Sequence, residues 1–168
     1  VIPSNPELTF DSVSIPLALF GFDNHENPGE FPTEVANPVH TQTSLVQGTT
    51  QVSNQRFLFD TGAQLTVIST ELAQSLGLDL ENPDEIIEVL GAAGGAQIPG
   101  FVVDELSLGR TDGGTLKFTN VWVYVLDIDP ALDGILGMNL LNTANQFAYD
   151  PYHPEGSRAT FSFFVNPN

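Results

Sequence analysis

The sequence predicts an all-β fold with one short helix around residues 70–77. Most apolar segments are short, rich in aromatic and β-branched residues, and bounded by glycine or proline, which is typical of strands. The clearest of them is Leu116–Leu126 (LKFTNVWVYVL), in which valines alternate with other residues. Helical spacing of apolar residues is found at Leu72, Ala73 and Leu76. We therefore expect a β-sheet core with one short helix beside it.

The same signals place the remaining elements along the chain. Ser69 or Thr70 suits the start of the helix, because short hydroxyl side chains cap helix N-termini, and Gly77 suits its end. Pro16 favours an edge position for the first strand, since proline lacks the N–H that an inner strand donates. The other predicted strands are Ser12–Phe22, Thr41–Gln51, Gln55–Phe59, Leu65–Ile68, Ile86–Leu90, Phe101–Leu108, Ile135–Gly137, Phe147–Tyr149 and Ala159–Val165.

Composition and charge argue against several classes of protein. The chain has 168 residues, enough for one domain with a core, and its hydrophobic share of 41% is too high for disorder. The net charge of −17 argues against nucleic acid and against an anionic membrane surface, both of which attract clustered Lys and Arg. No cysteine is present, so disulfides and cysteine-ligated zinc are excluded. No apolar run approaches the roughly 20 residues of a membrane helix, and the acidic, cysteine-free composition favours a secreted or periplasmic location.

An aspartate lies between two core-like segments at Phe57–Ser69 (FLFDTGAQLTVIS). The aromatic run before Asp60 and the apolar residues after it both favour buried strands. A carboxylate in such a place is costly to desolvate unless other groups hold it, and Thr61 and Gly62 offer a hydroxyl and close backbone approach. On these residues alone a turn aspartate is an equally good interpretation, because Asp and Gly are common in turns.

Two further stretches follow this one. Val89–Phe101 (VLGAAGGAQIPGF) is a glycine-rich connection between two predicted strands and could be a plain flexible hairpin. Leu132–Leu141 (LDGILGMNLL) contains an apolar-apolar-Gly element at Ile135–Gly137. Together with Phe57–Ser69, and in this order, these stretches resemble the retropepsin-like (retroviral-type) aspartic protease family.

The resemblance implies a closed β-barrel, an aspartic endopeptidase activity without a cofactor or metal, and a role for each matched residue. Asp60 would be catalytic, and the glycine-rich hairpin would be a flap that closes over bound peptide and excludes water. A short helical turn would follow Gly137. The implied site residues are Asp60 itself; Thr61, Gly62 and Ala63 in support of the catalytic loop; Gly91, Ala92, Ala93, Gly94 and Gly95 in the flap; and Ile135, Leu136 and Gly137 behind the loop.

A single catalytic carboxyl predicts a homodimer. Peptide hydrolysis of this type uses two carboxyls, one ionised to take a proton from water and one protonated to donate to the carbonyl oxygen. The chain supplies only Asp60, with no second Asp-Thr-Gly or Asp-Ser-Gly, so Asp60 of two copies would meet at a two-fold axis. The resemblance implies that Thr61 hydrogen-bonds across that interface. The expected partners are a peptide or protein substrate and a second copy of the chain, with no nucleic acid and no membrane.

Three other interpretations stay open. The chain could be a catalytically silent peptide-binding module with the same fold, or one lobe of a two-lobed aspartic protease whose other Asp lies outside this sequence. It could also be an acidic β-sandwich with structural calcium, because Asp127, Asp129 and Asp133 alternate with apolar residues. These acids lack Gly and Glu at the EF-hand positions, which favours an ordinary loop surface.

The first forty residues are expected to form an extension of the domain. Residues 1–40 contain one candidate edge strand and a proline-rich loop, and residues 41–168 would form the protease domain. The extension could be an added edge strand, a prosegment-like arm or the tail of an upstream domain. His25 and His40 have no partners at metal-ligand spacing, so both are predicted to be surface histidines.

Overall fold

The computed structural model describes residues 10–20, 37–91 and 94–164. These residues form eleven strands and two short helices, which confirms the all-β prediction. The strands are β1 Phe10–Pro16, β2 Ala18–Phe20, β3 Asn37–Gln47, β4 Thr50–Phe59, β5 Val67–Ile68, β6 Glu85–Gly91, β7 Gly94–Gly109, β8 Thr115–Val125, β9 Gly134–Leu136, β10 Gln146–Asp150 and β11 Arg158–Phe164. The helices are α1 Thr70–Ser75 and α2 Met138–Leu141.

The eight-stranded main sheet closes on itself. Its strand order is β2-β3-β4-β9-β5-β8-β7-β6, and an additional pairing between β3 and β7 joins its two sides. Strand β3 pairs with β4 along one edge and, from Thr43 to Val46, with β7 along the other. Its register on β4 shifts twice, between His40 and Thr43 and between Thr43 and Leu45. Strands β3, β4, β9, β5, β8 and β7 therefore form a ring, and β2 and β6 lie at the two ends of the sheet order.

A smaller antiparallel sheet, in the order β1-β11-β10, packs against the ring. The predicted single strand at residues 12–22 is divided at Leu17, whose N–H donates to Ser157 O at 2.8 Å rather than to a strand partner. Proline at position 16 explains the division, because it cannot donate to a ladder, and it ends β1 at the edge of this sheet. Strand β2 then joins the main sheet instead.

One continuous core joins buried residues of both sheets and both helices. Phe59, the last residue of β4, packs edge-on against Phe161 of β11 and Phe147 of β10, with ring centroids 6.3 Å apart in both pairs. Such edge-to-face pairs add to the stabilisation that comes from burying the rings. The end of β4, from which the Asp60 loop begins, is thus fixed by aromatic side chains of the smaller sheet.

Helix α1 forms where the sequence predicts it. Ser69 caps it by accepting a hydrogen bond from Leu72 N–H at 3.1 Å, while Leu72 and Ala73 are buried. Gly77 follows the helix with a φ of +77°, a conformation that glycine adopts without strain. In the described parts of the chain, neither helix has the length and apolar character that crossing a membrane requires.

The prediction of a surface position for His40 is wrong. Its side chain is 0% exposed, on β3. Burial is tolerated because both ring nitrogens are satisfied, Nδ1 at 2.9 Å from Thr43 Oγ1 and Nε2 at 3.0 Å from Gly109 O. Since a carbonyl only accepts, Nε2 carries the proton and Nδ1 accepts from the Thr43 hydroxyl. Desolvation lowers the pKa of His40. His25 lies outside the described residues.

Candidate active site

The Asp60 loop begins directly after β4. Asp60 N–H donates to Leu136 O at 3.2 Å, and Ala63 N–H donates to Asp60 O at 3.3 Å, so the loop backbone turns tightly. The half-buried carboxyl group has one oxygen held, because Gly62 N–H donates to Oδ1 at 2.8 Å. The other oxygen, Oδ2, accepts no hydrogen bond from the residues that the structure describes. It is therefore available to a water molecule or to a second carboxyl group.

The Ile135–Gly137 segment lies behind this loop. Strand β9 runs parallel to β4, with Leu136 opposite Phe59, and all three residues of the segment are buried. A side chain at Gly137 would overlap the carbonyl group of Leu65 and lie 2.8 Å from Thr66 N. Glycine at this position therefore allows two backbone segments to touch, which a residue with a Cβ would prevent.

Helix α2 holds the second half of the loop. Met138 N–H donates to Ala63 O at 2.8 Å, and Asn139 N–H donates to Gln64 O at 3.0 Å. The amide oxygen of Asn139 accepts from both the N–H and the hydroxyl of Thr66, at 2.7 Å each. The Thr66 hydroxyl oxygen in turn accepts from Gly137 N–H at 3.2 Å. Five hydrogen bonds thus join the loop to the start of α2.

Sequence reasoning missed Thr66 and Asn139 as site residues. Thr66 is fully buried between two apolar residues, and a polar residue in an apolar strand needs a hydrogen-bond partner. The polar residue among apolar ones was visible in the sequence. The sequence did not identify its partner, Asn139, because that residue lies 73 positions later.

The predicted flap corresponds to a β-hairpin of β6 and the first half of β7. Its register runs from Glu85 opposite Gly100 to Gly91 opposite Gly94. Gly95 is exposed, and Ala92 and Ala93 lie outside the described residues. The hairpin shares a groove of about 560 Å³ with the Asp60 loop. The groove is lined by Ala63, Gln64, Leu65, Val67, Ile87, Glu88, Val89, Ile98, Leu126, Ile128 and Ile135.

Of the predicted site residues, Ala63 of the loop and Ile135 of the segment behind it line the groove from one side. The hairpin lines it through Ile87, Val89 and Ile98, which lie outside the predicted Gly91–Gly95 segment. Thr61 and Gly62 are exposed, and the Thr61 hydroxyl has no hydrogen-bond partner among the described residues. The walls are mainly apolar, so the groove suits large apolar side chains.

The aspartates of the loop before β9 accept hydrogen bonds from protein groups next to them in the structure. Asp127 accepts from both the N–H and the hydroxyl of Thr70 at 2.8 Å, and these bonds lower its pKa. Asp133 accepts from Arg56 N–H at 2.7 Å, and Asp129 accepts from Ala131 N–H at 2.7 Å. In the described ranges, no group of three or more His, Cys, Asp or Glu residues is arranged to hold a metal ion.

Two comparisons with known proteins agree with this geometry. The family model described as aspartyl protease matches residues 45–140, more than half of the chain. The crystal structure of a retropepsin-like aspartic protease from Rickettsia conorii is similar with a TM-score of 0.58 and 20% sequence identity, and 94% of each chain is covered. At that identity the structural likeness shows the fold alone. No curated protein matches the sequence.

The family match and the fold point in the same direction. The matched range contains the Asp60 loop, the hairpin and the Ile135–Gly137 segment in full. The family match supports an aspartic protease kind of function. The chain belongs to the aspartyl protease family, and its fold is similar to that of a retropepsin-like aspartic protease.

Proposed function

We propose that the protein is an aspartic endopeptidase in which the Asp60 carboxyl groups of two copies activate a water molecule. The observation that carries the proposal is the state of Asp60. Its Oδ1 is held by Gly62 N–H at 2.8 Å, its Oδ2 has no partner among the described residues, and an apolar groove begins at Ala63. A carboxyl group that is fixed in place but half free suits proton transfer better than a purely structural role.

The mechanism follows from the chemistry of paired carboxyl groups. Two carboxyls held close together do not both ionise, so they share one proton. The ionised one takes a proton from water as the water oxygen attacks the peptide carbonyl carbon, and the protonated one donates its proton to the carbonyl oxygen. The carboxyl that took a proton from water then gives it to the amide nitrogen as the C–N bond breaks, and the other carboxyl takes a proton from a hydroxyl of the tetrahedral intermediate as the C=O bond re-forms. One product leaves with a new amine terminus, the other with a new carboxyl terminus, and the pair again holds one shared proton.

A homodimer supplies the second carboxyl group. Thr61 is exposed beside Asp60, where its hydroxyl can donate across a two-fold interface, and Gly62 adds no side chain that would keep the loops apart. Two copies carry a net charge of −34, twice −17. Association should therefore strengthen with added salt and at acidic pH, because both reduce the repulsion.

The substrate class follows from the groove. Its aliphatic walls favour a peptide with apolar side chains close to the bond that is cut. Strand β6 is at the end of the sheet order, so its outer edge can pair with an extended peptide. The hairpin, in which Gly91 ends β6 and Gly94 and Gly95 begin β7, acts as a flap over the bound peptide.

Peptide cleavage by wild type and Asp60→Asn tests this proposal. We expect wild type to cut a mixed peptide library with an acidic pH optimum and Asp60→Asn to lose the activity while remaining folded. Equal cleavage by the two proteins, or a flat or alkaline profile, would count against paired carboxyl groups. Peptide binding by both proteins with cleavage by neither would instead support the catalytically silent module.

A further inference from the structure

The β6–β7 hairpin leaves the main sheet at Gly100. Strand β8 pairs with β7 from Gly109 to Gly100, where its partner is Tyr124, whereas Gly94–Pro99 pairs with β6 alone. Strand β6 has no other neighbour in the sheet order. Beyond Gly100 the hairpin is therefore a two-stranded ribbon, and its direction depends on what holds its base.

Tyr124 reaches across that base. Its hydroxyl donates to Glu85 Oε1 at 2.6 Å, although Tyr124 is on β8, Glu85 is on β6, and β7 lies between them. Gly100 makes the crossing possible: an added Cβ there would lie 2.8 Å from Tyr124 Cε1 and 3.1 Å from Glu85 Cγ. One side chain thus joins three strands at the point where the sheet narrows to two.

The chemistry of this hydrogen bond makes it durable. Tyr124 is only 7% exposed. Its burial, and to a smaller extent its hydrogen bond to Glu85, raises its pKa to about 12. The phenol therefore keeps its proton at neutral and acidic pH and remains a donor. Hydrogen bonds to a charged group are roughly twice as strong as neutral ones. Nearby, Asp84 N–H donates to Gly100 O at 3.0 Å, and Asp84 Oδ2 accepts from Val102 N–H at 2.9 Å.

We propose that Tyr124 and Glu85 are positioning residues that fix the β6–β7 hairpin over the groove. Ile87, Val89 and Ile98, which line the groove, all lie on the part of the hairpin beyond the Glu85–Gly100 pair. A change of angle at the base moves these walls relative to the Asp60 loop. The catalytic consequence rests on the proposed function, but the structural role does not.

Amide hydrogen exchange in the substrate-free protein tests the structural role. Tyr124→Phe removes the hydroxyl and keeps the ring, which stacks on Trp122 at 6.3 Å. We expect amide exchange in residues 86–91 and 94–98 to accelerate about tenfold, because a hydrogen bond to a charged group is lost. Exchange in residues 103–108, where β7 pairs with β8 and no ribbon exists, should stay within about twofold as an internal reference. Unchanged exchange in the hairpin, or equal acceleration in the reference segment, would overturn the proposal.

Further variants separate the link from the individual residues. Glu85→Ala removes the acceptor of the hydrogen bond, so combining it with Tyr124→Phe should add little to either single variant, because both remove the same interaction, whereas additive effects would contradict the proposed link. Gly100→Ala should reproduce the Tyr124→Phe pattern by blocking the crossing.

Kinetics test the catalytic consequence. In an active preparation Tyr124→Phe should raise KM about fivefold or more with kcat within about twofold, since substrate contacts change and the carboxyl groups do not. Unchanged KM alongside faster hairpin exchange would overturn the positioning role. Absence of cleavage in wild type would count against the proposed function, and hydrogen exchange would still decide the role of the hydrogen bond.

Discussion

Replacing Gly137 by alanine is expected to displace the Asp60 loop. The new Cβ would overlap Leu65 O and Leu65 C and approach Thr66 N to 2.8 Å. All three are backbone atoms, so no side chain can rotate away to make room. The φ of −96° and ψ of 177° at Gly137 are open to any residue, so the cost is steric and not conformational.

The size of the effect can be estimated from the contacts at stake. Overpacking in a close-packed interior costs about 1–3 kcal/mol. Moving the loop also strains the bonds from Met138 N–H to Ala63 O and from Asn139 N–H to Gln64 O, each worth about 1 kcal/mol. Alanine also lowers the conformational entropy of the unfolded chain, which stabilises the folded state by about 0.4–1 kcal/mol. We expect a loss of about 3 kcal/mol in the free energy of unfolding, together with loss of peptide cleavage.

Urea denaturation measures this loss, with Gly114→Ala as the matched control. Gly114 lies in the turn between β7 and β8, and the nearest atoms to an added Cβ are in the side chains of Asp112 and Arg110, at 3.1 Å and 3.4 Å. These side chains can move, so the control should change stability by about 0.5 kcal/mol or less. If Gly137→Ala is as stable as Gly114→Ala, the close backbone contact behind the loop is not as described.

Two other predictions concern polar groups inside the fold. Asn139→Ala should lower the free energy of unfolding by about 2 kcal/mol, because Thr66 loses the acceptor for its buried N–H and its hydroxyl. Urea denaturation of Asn139→Ala, Thr66→Val and the double variant should show that the two losses are strongly non-additive, and additive losses would contradict this link. Burial lowers the pKa of His40 in the folded state. Below about pH 6.5 the unfolded chain therefore binds a proton at this residue more readily than the folded chain does. Stability should therefore fall as pH drops through that range, and His40→Gln, which keeps a donor for Gly109 O and does not titrate, should flatten the pH dependence in thermal melts. An identical pH dependence of the melting temperature in wild type and His40→Gln would refute this role of His40.

Local patterns predicted the elements of this fold well. Two elements depend on spacing and capping within a few residues. They are the helix predicted at residues 70–77, which Ser69 caps, and the long alternating strand β8. The division of the first strand was not predicted, although its cause is local, because Pro16 ends β1 and the next residues join another sheet. Elements whose cause lies within one segment can be predicted from that segment.

Features that depend on distant partners were predicted poorly. The burial of His40 requires Gly109 O, 69 positions away, and the link from Tyr124 to Glu85 spans 39 positions across an intervening strand. No periodicity marks such pairs, since they are created by the sheet topology. The resemblance around Asp60, Val89–Phe101 and Ile135–Gly137 carried the topology of a known family with it, and the place of these residues in an active site stays a prediction.

A mixing experiment tests the central claim most directly. Wild type and Asp60→Asn are allowed to exchange subunits at constant total concentration, and peptide cleavage is measured as the wild-type fraction is varied. If catalysis needs Asp60 from both copies, an equal mixture gives about a quarter of the wild-type activity, because only homodimers of wild type are active. About half of the wild-type activity, with a linear dependence on the wild-type fraction, would show that each chain works alone and would contradict the paired mechanism.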